Sequence, residues 1–419
     1  MCSIVPKNGL YLTDKDFEQW QDYFSSLLPR VETTCNCDPS DLRVKNITFV
    51  VTERCNLACK YCYEVHKSGS VMSWEVAKEA VDFIFDTKRV NGYYNFETAQ
   101  AVILEFIGGE PLLEIDLIDK IVEYFKFRAF ELNHPWSTNY MISLTTNGIL
   151  YNTEKVHRFL QRNPGRVSVG LTIDGNKELH DSCRFFPDGR GSYDIVEAAV
   201  KEWVKNESRP QTKITLSPSN VSYLSAALKN VWSLGVIGAF TNCAFEEGWE
   251  IEHARILYRE MVFLADYLID NGLYSRYYTS LFNETIGKPL TETRNWCGGN
   301  GQMLAIGTDG RCFPCIRFMK YSLASEGRQE QPIGNIYSGL DAKKDNEWLC
   351  KLKKIDMVTQ SPDKCRNCQV ASGCSLCTGY NYDKFGDPNV RATFICEMHQ
   401  ARVRANVYYW NRLYRKLDM

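Results

Sequence analysis

Three cysteines stand within eight residues at Cys55-Asn56-Leu57-Ala58-Cys59-Lys60-Tyr61-Cys62. Thiolates at such short spacings commonly hold iron–sulfur clusters. A cubane of four irons needs four ligands, and this run supplies three, so one iron would stay open to another molecule. A structural zinc site normally closes its coordination with four protein ligands. The bland alternatives are a zinc knuckle or a chance run of thiols. A second set lies far downstream: Cys297, Cys312 and Cys315, then Cys365-x2-Cys368-x5-Cys374-x2-Cys377, then Cys396. Nine of the 17 cysteines follow residue 296. That crowding predicts a region organised around metal rather than an apolar core. A pair of zinc ribbons is the competing reading.

The context of the thiols narrows their chemistry. An odd count rules out complete disulfide pairing. The N-terminal residues MCSIVPKNGLYL carry no basic stretch followed by an apolar core, and no run of about 18 apolar residues occurs anywhere. A large chain of this kind is expected in the cytoplasm, where thiols stay reduced and serve metals or catalysis. Lysine plus arginine number 49 against 51 acidic residues, a net charge of −2. That balance gives no drive toward nucleic acid or acidic membranes. A secreted disulfide scaffold, a membrane protein and a basic nucleic-acid binder are thereby excluded.

The elements that must position the thiols can be read from periodicity. Apolar, β-branched runs at 47–51, 102–107, 141–144, 167–173, 213–216 and 236–240 alternate with helical patterns at 73–87, 116–132, 153–162, 193–205 and 222–234. Such alternation predicts an α/β fold of parallel β-α units. Six units make a partial (β/α)6 barrel, with its chemistry at the C-terminal strand ends. The first cysteine run follows strand one. Gly108-Gly109-Glu110-Pro111 ends strand two, Thr145-Thr146-Asn147-Gly148 ends strand three and Thr172-Ile173-Asp174-Gly175 ends strand four. Taken singly, each is as well read as a capped turn. The expected division is an N-terminal segment (1–45, with a short helix near 14–27), a barrel (46–245), a helical linker (246–296), a cysteine-rich domain (297–398) and a closing helix (399–419).

Cys55-x3-Cys59-x2-Cys62 after a first strand, with GGEP closing the second, resembles the radical S-adenosylmethionine (SAM) superfamily. The downstream set resembles the SPASM extension of those enzymes. The resemblance implies SAM bound to a 4Fe–4S cluster on Cys55, Cys59 and Cys62. Contacts to SAM would come from Tyr61, Gly108, Gly109, Glu110, Pro111, Thr146, Asn147, Thr172, Asp174 and Arg184. Glycines let backbone approach, and carbonyls and a carboxylate accept from an ammonium. A guanidinium at Arg184 suits the SAM carboxylate. The segment from Asp174 through His180 and Arg184 to Gly191-Ser192-Tyr193 is similar to anaerobic sulfatase-maturating enzymes and related peptide maturases. His180 is read as a hydrogen-bonded residue orienting this loop. The SPASM resemblance implies two auxiliary 4Fe–4S clusters. One would take Cys297, Cys315 and Cys377, with Cys312 as a candidate fourth ligand; the other would take Cys365, Cys368, Cys374 and Cys396. Two residues separate Cys374 from Cys377 where the family usually has three, a departure that bears on Cys377. Without Cys312, the first auxiliary cluster would offer an open iron to a substrate thiolate. Gly334-Asn335-Ile336 is read as a structural turn.

The chemistry implied is reductive cleavage of SAM to a 5′-deoxyadenosyl radical, which takes hydrogen from a ribosomally made, cysteine-containing precursor peptide. The oxidised product would be a cross-link, foremost a thioether from cysteine sulfur to carbon. The alternative is an anaerobic sulfatase-maturating enzyme that makes formylglycine. Those enzymes carry an acid directly after the cysteine of their Y-P-C segment, whereas Phe313-Pro314-Cys315 is followed here by Ile316, Arg317 and Phe318. The segment Cys62-Tyr63-Glu64-Val65-His66-Lys67 also looks more like a peptide maturase. A non-enzymatic iron–sulfur electron carrier is disfavoured by the strand-tip motifs. A flavodoxin- or ferredoxin-type donor would supply electrons. About 45 residues before strand one are too few for a winged-helix leader-recognition domain, so leader binding is expected elsewhere or through a partner. Glu246 and Glu247 are read as a solvated acidic loop and Cys183, Cys243 and Cys350 as small apolar fillers. Cys2, Cys35 and Cys37 have no assigned role.

Overall fold

The computed structural model describes residues 44–207, 209–245, 248–290, 297–340 and 347–417. The helix expected near 14–27, Cys2, Cys35, Cys37, Glu246 and Glu247 lie outside the described residues. Six strands follow the expected order: β1 (Val44–Thr52), β2 (Ala101–Gly108), β3 (Tyr140–Thr146), β4 (Val167–Leu171), β5 (Gln211–Leu216) and β6 (Gly238–Cys243). β1 to β4 pair in parallel, as do β5 and β6, and a parallel bridge between Thr172 and Lys213 joins the two sets. Helices Trp74–Ile84, Ile115–Glu131, Glu154–Arg162, Tyr193–Asn206 and Leu224–Ser233 carry the chain between strands. Parallel neighbours need such long crossovers. The result is a mixed α/β fold around an incomplete parallel barrel.

Alternation along the strands separates packing from chemistry. Tyr140, Ile142 and Leu144 are buried, and Tyr140 packs edge-on against Phe125 of helix Ile115–Glu131 at 5.5 Å. They therefore face the outer helices. The alternate residues face the lumen, where the register lines up Thr48, Glu105, Ser143 and Ser168 across four strands. Thr48 Oγ1 donates to Glu105 at 2.6 Å. That polar layer shares its face with Ile103, Ile107 and Met141, so the lumen offers both polar and apolar groups.

The sheet extends further than the six-strand reading. β7 (Tyr278–Thr279) continues parallel beside β6. β8 (Met303–Ile306) pairs in parallel with β1, and β9 (Arg311–Phe313), β10 (Gly334–Asn335) and β11 (Gly339–Leu340) follow as an antiparallel meander. The cysteine-rich region is thus stitched to the first barrel strand by backbone hydrogen bonds. Helix Ile251–Asp270 lies within the stretch expected to be a helical linker. The last helix, Cys396–Lys416, lies against it through Arg412 to Asp266 and Asp270 and through Tyr408 to Asp266. No helix among the described residues is long and apolar enough to cross a membrane.

Candidate active site

The first thiol run leaves the end of β1 and is pinned on two sides. Ala58 N donates to Phe185 O at 2.8 Å and Lys60 N to Cys183 O at 3.0 Å. On the other side, Gly109 N donates to Thr52 O at 3.1 Å and Glu110 N to Arg54 O at 2.8 Å. That approach demands glycine. A Cβ at Gly108 would sit 2.0 Å from Thr52 O, and one at Gly109 would sit 2.3 Å from Arg54 O and 2.9 Å from Cys55 Cβ. The two glycines let the tip of β2 close on the start of the cysteine loop. Cys55 accepts from Leu57 N at 3.4 Å, and burial pushes its thiol up to about 11. Burial also raises Cys59, while Arg184 pulls it down and Cys62 pushes it up. A bound metal would remove these protons outright.

Glu110 ties the tips of β2 and β3 together. Only 1% exposed, its carboxylate accepts from Leu112 N at 3.0 Å, Thr146 Oγ1 at 2.8 Å and Asn147 N at 2.8 Å. Leu112 follows Pro111 in the one-turn segment Pro111–Glu114. Burial raises the Glu110 carboxyl, and the three donors oppose that. Asn147 in turn donates to Asn56 Oδ1 at 2.7 Å and lies 3.9 Å from Cys55 Sγ. The tips of β2 and β3 are thus wired to the cysteine loop. Thr172 joins them through its N–H to Thr146 O at 3.0 Å.

A second buried knot forms below Cys59. Tyr61 donates to Asp174, Arg184 Nη1 donates to the Tyr61 hydroxyl at 2.8 Å, and Arg184 lies 3.8 Å from Asp174 Oδ2. Two buried atoms of this knot have no hydrogen-bond partner, Asp174 Oδ1 and Arg184 Nε. Such orphans cost about 1–3 kcal/mol each unless a ligand satisfies them. One acceptor and one donor in an otherwise closed network fit a ligand with its own polar groups. His180 holds the knot in place. Its Nδ1 accepts from Asp174 N at 3.2 Å, and its Nε2 meets Ser192 Oγ at 3.0 Å. Ser192 then donates to Arg184 O at 2.8 Å. Burial lowers His180 to about 3, so the ring is neutral at pH 7. That geometry matches the loop-orienting role read from the sequence.

The downstream thiols fall into two neighbourhoods. A Cβ built on Gly299 would lie 3.4 Å from Cys315 Sγ and 3.6 Å from Cys297 Sγ, so both thiols flank one point. After burial, Cys297 and Cys377 push the Cys315 thiol up most. Cys396, Cys368 and Cys365 push Cys374 up in the same way. Cys312 is wholly buried on β9, with its Sγ 3.8 Å from Gly310 O, and is raised by burial and then by Asp309. Among the described residues, no three His, Cys, Asp or Glu side chains sit at single-ion spacing. A four-iron cubane holds its thiolates at its corners, wider apart than one ion would. Sulfur also receives hydrogen bonds of the kind that tune clusters. Tyr380 N reaches Cys377 at 3.4 Å and Gln400 Nε2 reaches Cys396 at 3.4 Å. Cys243 ends β6, pushed up to about 12 by burial, and Cys183 is buried at the end of helix Lys177–Cys183. Neither joins a thiol group.

Sequence reasoning noted the segment Cys62–Lys67 but gave its acid no role. Glu64 is buried, with Lys67 Nζ 3.8 Å away and its Oε2 without a hydrogen-bond partner. Burial pushes its carboxyl up to about 7 against the pull of Lys67. The Arg317 guanidinium lies 5.1 Å from the Tyr63 ring, and the buried Tyr321 hydroxyl is unpartnered. After burial, Tyr63 and Glu64 lead the charges that raise Tyr321, and Cys315 contributes as well. This strip therefore bridges the first thiol run and the Cys315 neighbourhood. An acid two residues past the last cysteine was the available signal.

Comparison with known proteins fits this geometry. Residues 49–217 match the Radical SAM superfamily. The chain is 21% identical to the radical SAM cyclopropyl synthase TigE of Paramaledivibacter caminithermalis, over 94% of this chain and 79% of that protein. It is 23% identical to a cysteine-type anaerobic sulfatase-maturating enzyme of Clostridium perfringens, over 83% of this chain and 91% of that one. The solved structure of native anSMEcpe with bound AdoMet and Cp18Cys peptide superposes with a TM-score of 0.63. The two share 19% identity, over 89% of this chain and 99% of that one. At that identity the likeness is one of fold.

Proposed function

With residues 49–217 forming its radical SAM domain, this chain is a radical SAM superfamily enzyme, and we propose that it joins a cysteine sulfur of a ribosomally made precursor peptide to a carbon of the same peptide. Its relatives include a cysteine-type anaerobic sulfatase-maturating enzyme and the radical SAM cyclopropyl synthase TigE. The observation that carries the reading is the convergence at one barrel end of Cys55, Cys59 and Cys62 with the Glu110 hub and the Tyr61–Asp174–Arg184 knot.

A four-iron cluster on Cys55, Cys59 and Cys62, when bound, supplies the electron that cleaves SAM to methionine and a 5′-deoxyadenosyl radical. The chain's own residues bind, orient and exclude water. Arg184, whose buried Nε has no partner, would hold the SAM carboxylate, and Asp174, whose Oδ1 has none, would accept a polar hydrogen of SAM. Glu110 sets the distance between the β2 and β3 tips, and Gly108, Gly109, Pro111, Thr146, Asn147 and Thr172 stand at neighbouring strand tips beside the cysteine loop. The peptide enters the lumen. Thioether formation removes two hydrogens: one atom to the deoxyadenosyl radical, and one as a proton plus an electron. An auxiliary cluster, when bound, would accept that electron, while a flavodoxin- or ferredoxin-type donor would supply the one that cleaves SAM. The two auxiliary clusters draw on Cys297, Cys315 and Cys377 and on Cys365, Cys368, Cys374 and Cys396. With Cys312 outside the first of these sets, a cluster held there by three thiolates would keep one position open to a substrate thiolate. On this reading the core spans 46–245, the linker 246–296, the auxiliary domain 297–398 and the closing helix 399–419.

Ile316 supports thioether chemistry over formylglycine. It follows Cys315 directly, where the sulfatase-maturating pattern needs an acid. The test is anaerobic incubation of the reconstituted enzyme, SAM and reductant with the cysteine-containing peptide encoded beside its gene. A mass lower by two hydrogens per cross-link, with thiols no longer alkylated, is expected. Formylglycine in a sulfatase-derived peptide, with the precursor peptide untouched, would overturn the proposal.

A further inference from the structure

Two guanidiniums converge on one turn of the cysteine-rich region. Arg391 is 6% exposed; it donates through Nη1 to Ser361 Oγ at 3.1 Å and through Nη2 to Cys374 O at 3.5 Å. Its own backbone N–H is held by Gln360 O at 3.1 Å. Arg402, on the closing helix, donates through Nε to Leu281 O at 3.2 Å and through Nη2 to Ser280 O at 2.5 Å. Its Nη1 reaches Gly373 O at 3.5 Å. The two side chains thus end on the adjacent carbonyls of Gly373 and Cys374. Every acceptor in these contacts is neutral. Arginine does not shed its proton in proteins. Arg402 is part-buried and Arg391 almost wholly buried; a buried cation without an anion is strongly unfavourable, and hydrogen bonds to neutral acceptors do not cancel its charge. The geometry therefore calls for negative charge beside Cys374.

We infer that Arg391 and Arg402 are the fixed counter-charges of an anionic four-iron cluster held by Cys365, Cys368, Cys374 and Cys396, and that they raise its reduction potential. The inference rests on the auxiliary-cluster reading above. A cubane on four thiolates is a net anion and becomes more negative on reduction, so nearby positive charge stabilises the reduced form more. Both arginines act through space on the thiolates, as positioning and tuning residues.

The test uses the full chain, reconstituted anaerobically, in a Cys55, Cys59, Cys62→Ala background that leaves the auxiliary centres alone. Potentiometric titration followed by electron paramagnetic resonance reads each midpoint, and metal analysis reads iron and zinc. With Arg391→Gln or Arg402→Gln, one midpoint should fall while the other stays. Arg391→Lys and Arg402→Lys should hold it near the parent value. Loss of iron in the Gln variants with retention in the Lys variants would also uphold a counter-charge role. Unmoved midpoints in the double Gln variant at full iron content would overturn it, as would equal iron loss in the Lys and Gln variants. Zinc in place of iron in the parent would instead sink the cluster assignment, a result that metal analysis reads separately.

Discussion

Gly109→Ala probes the packing that sets the first thiol run. Gly109 is not in the left-handed region, so any penalty for a side chain there comes from space alone. A methyl would meet Arg54 O at 2.3 Å, Arg54 C at 2.5 Å and Cys55 Cβ at 2.9 Å. Ordinary contact begins near 3.4 Å. The neighbours must therefore yield by about 1 Å, and they are backbone atoms that no rotamer change can move aside. The same carbonyl, Arg54 O, accepts from Glu110 N, so the shift passes into the Glu110 hub. Misplacing a reacting group by about 1 Å can cost on the order of 10²-fold in rate. Overpacking also costs about 1–3 kcal/mol of stability. Formation of 5′-deoxyadenosine by the Ala variant should fall about 100-fold, measured by chromatography with iron content in hand. Gly248→Ala, where a methyl meets nothing within 4 Å, is the control. A fully iron-loaded Gly109→Ala enzyme within about threefold of the parent would refute the claim that this approach sets catalytic geometry.

Cys312→Ala should leave iron content and auxiliary spectra at parent levels and cost only about 1 kcal/mol of stability, since it removes a small buried thiol. Cys377→Ala should lose iron, and loss of about four irons from Cys312→Ala would place Cys312 among the ligands. His180 predicts a pH effect. Its folded value is depressed to about 3, so between there and about 6.5 the unfolded chain binds the extra proton. The stability from keeping it neutral is present above about pH 6.5 and declines below it, by up to about 1.4 kcal/mol per pH unit. Urea unfolding at pH 7 and pH 5 should therefore separate the parent from His180→Gln, the parent losing more on acidification. Equal losses in the two proteins would disprove the assignment.

The β-α order was legible because each strand carries its own apolar run and each crossover its own helical period. The cysteine run was legible because its ligand spacing is local. Contacts between distant residues were not. Glu110 reads as part of a ligand-cradling turn, yet its three donors come from Leu112, Thr146 and Asn147, two of them on another strand tip. Gly108 and Gly109 read as glycines that admit a ligand, yet the close approach they permit is to the backbone of Thr52 and Arg54. β8 spans four residues, too few to signal a strand, and its partner β1 lies some 250 residues earlier. Glu64 was quoted in a segment without a role because burial, which makes it unusual, has no local sequence mark.

The two-residue gap between Cys374 and Cys377 shows how local structure can divide neighbours. Cys377 is the cap of helix Thr378–Phe385, and its sulfur accepts from Tyr380 N at the first turn. That contact directs the thiol along the helix start toward the side where Cys315 sits, and Cys377 is among the charges that push Cys315 up. Cys374 precedes the cap, and its carbonyl is held by Arg391. Its leading thiol neighbours are Cys396, Cys368 and Cys365. A helix cap thus holds the Cys377 sulfur and a guanidinium holds the Cys374 carbonyl, with two residues between them. The shorter spacing is therefore compatible with an interleaved arrangement in which chain order and spatial grouping differ. Cys377→Ser keeps a capping oxygen for the Tyr380 N–H and removes the sulfur. It should preserve the helix and lose only the metal held with Cys297 and Cys315, whereas loss of the metal held by Cys374 as well would show that the two groups are not separable.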